Sequence, residues 1–416
     1  MPLQEFHYRD GQLLCESSAL RDIARAVGTP AYVYSSRAIR DNYRAYERAL
    51  AGLPHQIHYA VKANSSLAVL SLLAAEGAGF DIVSGGELYR VLLAGGDPAS
   101  VVYSGVGKTA AELEYALEQR IGTFNCESEQ ELDMLREVAA RLGARPAVAL
   151  RVNPNIDART HPYISTGLNE HKFGIELQAA EDLYGQAAKW RPLRFSGVSC
   201  HIGSQIFETE VFAEAVGQLL DLAARLRACG VPLHTIDLGG GLAVGYEQGQ
   251  PSASIASYCQ MLRATLAGSG LELAIEPGRS ITGQAGTLLT SVLVRKQAGS
   301  KTFLVVDGAM NDLLRPALYG ARHEILPVAE HQGERLACDV VGPVCETGDF
   351  LATGRDLPAC SPGDLLAVAT AGAYGFVQAS NYNSRPRAAE VLVDGETFRV
   401  VRKREAREDL VRGETC

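Results

Sequence analysis

The chain is expected to fold as an α/β protein in which a closed (β/α)8 barrel is joined to a second, β-rich domain of sandwich-like or barrel-like form. Three observations predict this. From residue 55 to about residue 278, short β-branched or apolar runs alternate with Ala/Leu/Glu-rich stretches of helical spacing, the rhythm of βα units. Eight such runs occur, and eight parallel strands suggest closure into a barrel rather than an open sheet. After about residue 282 the rhythm changes to strand, turn, strand, punctuated by Gly, Pro and Asp. A length of 416 residues exceeds one ordinary domain and leaves room for both parts.

In chain order, the first 35 residues read as strand and turn, with Thr29-Pro30-Ala31-Tyr32-Val33-Tyr34 the clearest strand. The barrel runs are 56–62, 79–84, 101–105, 122–126, 147–153, 196–201, 235–239 and 272–277. Helical spacing separates them at 67–76, 86–94, 109–119, 128–142, 178–189, 210–228 and 254–267. Beyond the barrel, strand runs fall at 287–295, 302–307, 338–342, 365–369 and 389–400. The expected boundaries are therefore 36–282 for the barrel, with 1–35 and 283–416 forming one discontinuous β-rich domain.

Composition narrows the function classes. Hydrophobic residues make up 47 % and charged residues 21 % of the chain, a globular balance, and no apolar run approaches a membrane span. The opening segment from Met1 to Asp10 has neither a basic region nor an apolar core, so no secretory signal is visible and the cytoplasm is the expected location. Nine cysteines lie scattered without a C-x-x-C pair, which fits reduced thiols better than a disulfide framework or a zinc site, and no metal is expected. A net charge of -9 offers no basic stripe to neutralise phosphates, which argues against nucleic acid as a partner. Small-molecule chemistry is left. The charge-dense stretch from Arg402 to Arg412 mixes both signs and reads as a solvated face.

Active sites of such barrels sit at the C-terminal ends of the strands. The residues there are polar: Lys62, Ser84-Gly85-Gly86, Ser104-Gly105, Glu127-Ser128, Arg151 to Asn153, His201 to Ser204, Gly239-Gly240-Gly241 and Glu276-Pro277-Gly278-Arg279. An amine fixed at a strand end, as Lys62 is, can form a Schiff base with a carbonyl cofactor, although its heptapeptide alone fits a surface lysine equally well. Glycines at 239–241 let backbone N–H groups surround a phosphate, or simply make a tight turn. Glu276 suits a pyridine nitrogen or a pairing with Arg279. His201 reads as a base, a stacked ring or a merely hydrogen-bonded side chain. In the β-rich part, Cys345-Glu346 sets a thiol beside an acid, a possible proton donor, against the alternative of inert filler. Arg315 and Tyr319 suit a substrate carboxylate, and Tyr374 stands between small residues; both fit packing features as well.

Taken together, these motifs resemble the fold-type III pyridoxal-phosphate decarboxylases, nearly end to end, and within them the branch that acts on meso-diaminopimelate. The segments that carry the resemblance begin with Tyr59-Ala60-Val61-Lys62-Ala63-Asn64, Phe80 to Glu87, Tyr103 to Thr109 and Arg151-Val152-Asn153-Pro154. They continue with Lys172-Phe173-Gly174, His201-Ile202-Gly203-Ser204-Gln205, Leu238 to Gly241, Glu276 to Arg279, Met310 to Tyr319, Cys345-Glu346 and Ala371 to Phe376. Each is weak alone; their order and spacing are specific.

The resemblance implies pyridoxal 5'-phosphate as cofactor, in a Schiff base with Lys62, with His201 stacked on the ring and Glu276 at its nitrogen. It implies a phosphate held by Ser204, Gly240, Gly241 and the Pro277-Gly278-Arg279 backbone, with Tyr374 closing over the cofactor. Substrate contacts would come from Arg279, Arg315, Tyr319, Glu346 and Tyr374. Cys345 would protonate the carbanion-like intermediate, and in a homodimer Cys345 and Glu346 would reach the neighbouring site. The implied reaction is decarboxylation of meso-2,6-diaminopimelate to L-lysine and carbon dioxide, with ornithine, arginine or carboxynorspermidine decarboxylation as the alternative. Eukaryotic-type ornithine decarboxylases carry Cys-Asp where this chain has Cys345-Glu346, which favours diaminopimelate. Gly308 departs from the more usual alanine and changes no reactive group. Pyridoxal-phosphate homeostasis proteins lack the β-rich domain, and alanine racemases lack the Glu276 to Arg279 and Cys345-Glu346 segments.

Overall fold

Eight parallel strands close into a barrel in the computed structural model, which describes residues 3–157, 172–330 and 333–415. In chain order they are β1 (His55–Ala60), β2 (Gly79–Ile82), β3 (Val101–Tyr103), β4 (Thr123–Cys126), β5 (Ala147–Asn153), β6 (Arg194–Ser199), β7 (Thr235–Asp237) and β8 (Glu272–Ile275). Each pairs with the next, and Leu273 of β8 pairs with His55 of β1 to complete the ring. The barrel belongs to a unit formed by Asn42–Ala243 and Ser252–Gly278.

Several strands stop earlier than their apolar runs because side chains at the rim compete for the backbone. The run through Lys62 ends as strand at Ala60, and Val61–Ala63 turns into a single 3₁₀ turn that places Lys62 at its centre. The run 79–84 ends at Ile82 because Ser84 becomes the N-cap of helix Gly85–Leu93, its Oγ accepting from the Glu87 N–H at 3.2 Å. Thr109 and Glu112 form a reciprocal capping box on helix Ala110–Glu118, and Ser128 caps helix Glu129–Leu142.

Behind the rim, a buried polar chain ties the loops after β3, β4 and β5 together. Lys108, fully buried, donates to Gly105 O at 2.7 Å, Asn125 O at 2.8 Å and Glu131 Oε1 at 2.7 Å. Glu131 Oε2 accepts from the Glu127 N–H at 2.9 Å, and Glu127 accepts from the Gly105 N–H at 3.1 Å, Arg151 Nη1 at 3.0 Å and the Gly174 N–H at 2.9 Å. Every ammonium proton has a partner, the condition under which a buried ion pair is tolerated.

The second unit comprises Met1–Asp41, Val244–Pro251 and Arg279–Cys416. Its sheet runs in the order Phe350–Pro358, Arg335–Val341, Lys301–Val306, Gly286–Ala298, Ala31–Ser35, Ala389–Asp394, Thr397–Arg402, and Leu365–Val368 also pairs with Gly286–Ala298 and with Ile325–Pro327. Ala31–Ser35 thus lies inside the sheet, antiparallel to Gly286–Ala298 and parallel to Ala389–Asp394. Leu13, Leu20, Ile23, Val33, Leu289, Ala367, Val391 and Val393 pack together as its core.

Two features of this unit differ from the strand runs read in the sequence. The run 389–400 is a hairpin broken at Gly395, whose φ of +65° lets a two-residue connection join Asp394 to Thr397. Phe350–Pro358 is a strand despite Gly354, Arg355 and Asp356 at its centre, because pairing with Arg335–Val341 overrides local preference and Asp339 Oδ1 accepts the Gly354 N–H at 2.7 Å. The eight-residue excursion Val244–Pro251 joins this unit through Glu324 N to Tyr246 O at 3.0 Å and Gln248 N to Glu324 Oε2 at 3.0 Å. At its base Ala253 N donates to Ala243 O at 3.1 Å. Among the described residues, no helix is long and apolar enough to cross a membrane, and the cysteines are free thiols.

The Lys108–Glu131 pair yields a prediction. Lys108→Met leaves the Glu131 carboxylate buried without its cation and is expected to destabilise the protein by about 3–5 kcal/mol, whereas Lys108→Met with Glu131→Gln recovers part of that loss. Denaturant unfolding of both variants checks it, and a loss under about 1 kcal/mol in the single variant would show the pair to be dispensable.

Candidate active site

Three carboxylates converge at the C-terminal mouth of the barrel, where among the described residues lining the cavity Lys62 is the one lysine. Lys62 Nζ is hydrogen-bonded to Oδ2 of Asp81, a fully buried side chain on β2. Glu276, directly after β8, accepts from Ser104 Oγ at 3.4 Å and Asn125 Nδ2 at 3.5 Å. Asn125 also donates to Asp237 Oδ2 at 3.1 Å, and Asp237 Oδ1 accepts the Gly239 N–H at 2.9 Å. Burial first, and then the nearby Asp237 and Asp81 charges, push the Glu276 carboxyl well above the usual carboxylate range, although Lys62 opposes them. The remaining cation, Arg151, is paired with Glu127.

These residues line a cavity of about 590 Å³ whose walls include Lys62, Ser104, Asn125, Arg151, His201 and Glu276. His201 Nδ1 accepts the Gly240 N–H at 3.1 Å, which leaves the ring proton on Nε2. Burial, and then the Arg151 and Lys62 charges, push the imidazole well below its usual value, so it is a neutral ring. The glycine run is sterically required: a Cβ on Gly240 would come within 2.3 Å of Glu276 O, and one on Gly241, at φ +117°, within 2.4 Å of Gly203 O. Ser204 lies on the adjoining loop after β6, and Pro277 O accepts the Ala60 N–H at 3.2 Å, fastening the Glu276 to Gly278 segment to β1.

The barrel mouth fits pyridoxal phosphate on its own chemistry. The cavity is large enough for the ring, it holds an amine for the carbonyl, and its surplus carboxylate lacks the cation that a protonated pyridine nitrogen supplies. The bare backbone at Gly240 and Gly241 suits an approaching anion.

The β-rich unit gathers the predicted arginines. Arg279 Nη1 donates to Tyr246 Oη at 2.5 Å, and its guanidinium lies 4.6 Å from the centre of the Tyr374 ring. Arg315 stacks on the other aromatic of the cluster, 4.3 Å from the Tyr246 ring centre, and its Nη1 lies 2.7 Å from His323 Nε2. Burial alone would raise the Tyr246 phenol, yet Arg279 and Arg315 together bring it below its usual value. Tyr374 adopts φ +55°, a left-handed conformation unusual for a tyrosine, in a segment where a Cβ on Gly372 would meet Thr282 O at 2.0 Å. Tyr319 Oη accepts from Gln378 Nε2 at 3.4 Å.

Cys345 and Glu346 are exposed in the single chain. Asn383 Oδ1 accepts the Cys345 N–H at 2.8 Å, and Glu346 Oε2 accepts from Tyr382 Oη at 2.8 Å. Lys62, His201, Gly240, Gly241 and Glu276 therefore collect at the barrel mouth, while Arg279, Arg315, Tyr319 and Tyr374 belong to the other unit together with Cys345 and Glu346.

The sequence reading passed over Asp81, Asn125, Asp237, Tyr246 and His323 as site residues. Asp81, Asn125 and Asp237 sit inside strand runs, and a polar residue interrupting such a run was the available signal. Tyr246 and His323 carry no local signature, since their partners lie 33 and 8 residues away.

Comparison with known proteins converges on one family. Residues 36–283 match the pyridoxal binding domain of pyridoxal-dependent decarboxylases. A diaminopimelate decarboxylase of Pseudomonas aeruginosa is 54 % identical over 413 residues, 99 % of each chain. Among solved structures, the diaminopimelate decarboxylase of Helicobacter pylori complexed with L-lysine is 43 % identical with a TM-score of 0.91, covering 94 % of this chain and 98 % of that one. The diaminopimelate decarboxylase of M. jannaschii in co-complex with L-lysine is 33 % identical with a TM-score of 0.95, covering 100 % of this chain and 99 % of that one. With the lysine at a closed barrel mouth and the β-rich unit both present, the chain belongs to the pyridoxal-dependent decarboxylases.

Proposed function

We propose that the protein is a pyridoxal-phosphate-dependent decarboxylase that converts meso-2,6-diaminopimelate to L-lysine and carbon dioxide. What carries the proposal is the pairing of a single amine, Lys62, with a surplus buried carboxylate, Glu276, in one cavity. Relatives and solved neighbours that are diaminopimelate decarboxylases support the substrate.

Bound pyridoxal phosphate supplies an electron sink for the pair left behind when the carboxylate departs. Lys62 Nζ would be the amine that holds its aldehyde. Asp81 Oδ2 aims that amine. Glu276 accepts a hydrogen bond from the ring nitrogen, and Ser104 and Asn125 keep its oxygen oriented. His201, neutral, offers a flat ring face that adds no charge against the cofactor. Ser204, Gly240, Gly241 and the Pro277-Gly278-Arg279 backbone hold the phosphate, and Tyr374 closes over the cofactor.

Arg279, Arg315, Tyr319, Glu346 and Tyr374 hold the substrate, and the two guanidinium groups suit a second carboxylate that ornithine and lysine lack. Binding energy collected at that distal head positions the scissile carboxylate. Cys345 Sγ–H donates the proton that replaces carbon dioxide. The exposure of Cys345 and Glu346 supports a homodimer in which each copy lends these residues to its partner's site.

The proposal is tested by incubating the purified protein and pyridoxal phosphate with diaminopimelate, ornithine, arginine, carboxynorspermidine and lysine in turn. Lysine and carbon dioxide from diaminopimelate alone are expected, with Lys62→Ala as the inactive control; preferential turnover of another substrate would overturn the assignment. Cys345→Ala is expected to slow turnover by roughly 10²–10³-fold while cofactor absorbance is retained, and an unchanged turnover number would remove Cys345 from the mechanism.

Glu276 also gives a pH prediction. Its folded value is raised, so its contribution to stability is present below the usual carboxylate range and is lost as pH rises through the folded value. In cofactor-free protein, Glu276→Gln is expected to raise Tm at pH 8 by roughly 2–4 °C and to change it little at pH 5, while weakening cofactor binding. Equal effects on Tm at both pH values would contradict the strained carboxylate.

A further inference from the structure

Arg279 and Arg315 are buried cations, and their neighbours are unusual for such groups. The other buried arginine among the described residues, Arg151, faces a carboxylate, Glu127, at 3.0 Å. For Arg315 the partners are neutral. Arg315 rests on the face of Tyr246 and donates to Nε2 of the fully buried His323, whose Nδ1–H donates to Ala369 O at 2.7 Å. The two bonds define one tautomer, with the lone pair on Nε2 directed at the guanidinium. Tyr246 does the same for Arg279, accepting at its hydroxyl while its ring faces Arg315. The nearby acid Glu247 is engaged by Arg322 at 3.2 Å and Arg355 at 3.5 Å, and Glu324 accepts the Gln248 N–H at 3.0 Å. Among the described residues, no carboxylate is within ion-pair distance of Arg315.

We infer that His323 and Tyr246 are positioning residues that fix Arg315 through an uncharged acceptor and an aromatic face, so that its positive charge remains available to the second carboxylate of the substrate. This deepens the proposed function and rests on it. An acid at position 323 would fix Arg315 equally well but would spend its charge within the protein. The imidazole fixes the side chain and leaves the charge unspent. Discrimination between a dicarboxylic and a monocarboxylic amino acid then depends on the neutrality of position 323, a property that a simple packing role does not share.

The test uses the pyridoxal-phosphate-loaded enzyme with His323→Gln, His323→Glu and Tyr246→Phe. His323→Gln keeps a neutral acceptor and is expected to restore KM for diaminopimelate to within about 3-fold of wild type. His323→Glu is expected to raise KM about 10- to 100-fold with kcat changed far less, the scale of one charge-assisted bond lost to the ligand. A second readout is equilibrium binding of pimelate, which has both carboxylates and no amine, against hexanoate, which has one carboxylate. Wild type is expected to prefer pimelate; His323→Glu should lose that preference, and Tyr246→Phe should weaken pimelate binding about 3- to 10-fold. If His323→Glu does not fold, the pimelate measurement on Tyr246→Phe decides. A His323→Glu enzyme with wild-type KM, a glutamine variant as impaired as the glutamate one, or undiminished pimelate binding by Tyr246→Phe would overturn the inference. Wild-type enzyme inert toward diaminopimelate would instead overturn the proposed function, and pimelate binding still reports separately on the arginine cluster.

Discussion

A negative charge buried without its counter-ion is the constraint around which the barrel mouth is arranged. Glu276, Asp237 and Asp81 stand within reach of one another, and Lys62 can satisfy only one of them. A protein interior answers such an arrangement by raising a carboxyl toward its neutral form, as burial and the Asp237 and Asp81 charges do for Glu276, or by supplying a cation. Ser104 and Asn125 hold the surplus carboxylate in place, Arg151 is already committed to Glu127, and His201 is kept neutral by burial and by the Arg151 and Lys62 charges. The rim loops are in turn held by the Lys108, Glu131 and Glu127 chain, so the electrostatic demand at the mouth and the rigidity behind it have a common framework.

The β-rich unit shows the opposite imbalance. Among the described residues its buried Arg315 is held by an aromatic face and an imidazole with no carboxylate at ion-pair distance, and Arg279 donates to a phenol and faces the Tyr374 ring. Stacking and neutral hydrogen bonds satisfy the geometry of a guanidinium while leaving its monopole largely intact.

Much of the architecture was legible because barrel strands buried on both faces read as apolar runs, and the eight runs between residues 55 and 278 give the ring directly. Strand ends were less legible: the run 79–84 reads through Ser84, whose hydroxyl instead caps the helix Gly85–Leu93. The strand Phe350–Pro358 was illegible because its conformation is imposed by a neighbour. At the site, residues in glycine-rich or motif-bearing turns stood out, Lys62, His201, Gly239 to Gly241 and Glu276 among them. Asp81 and Asp237 did not, because their role depends on convergence across the barrel. His323 gave no sign at all, since a neutral histidine under an arginine has no pattern in one dimension.

The excursion Val244–Pro251 has a consequence for how specificity can change. The chain leaves the barrel at Ala243 and returns at Ser252, and the hydrogen bond from Ala253 N to Ala243 O closes the gap beneath it. Tyr246, which touches both arginines of the cluster, is carried on this closed bight and not on any strand. Insertions, deletions and substitutions in the bight leave the hydrogen-bond ladder of the barrel intact. The part of the molecule that sets the posture of the arginines is thus separable, in evolutionary terms, from the part that must fold as a closed ring, and one lineage can revise its substrate without renegotiating its scaffold.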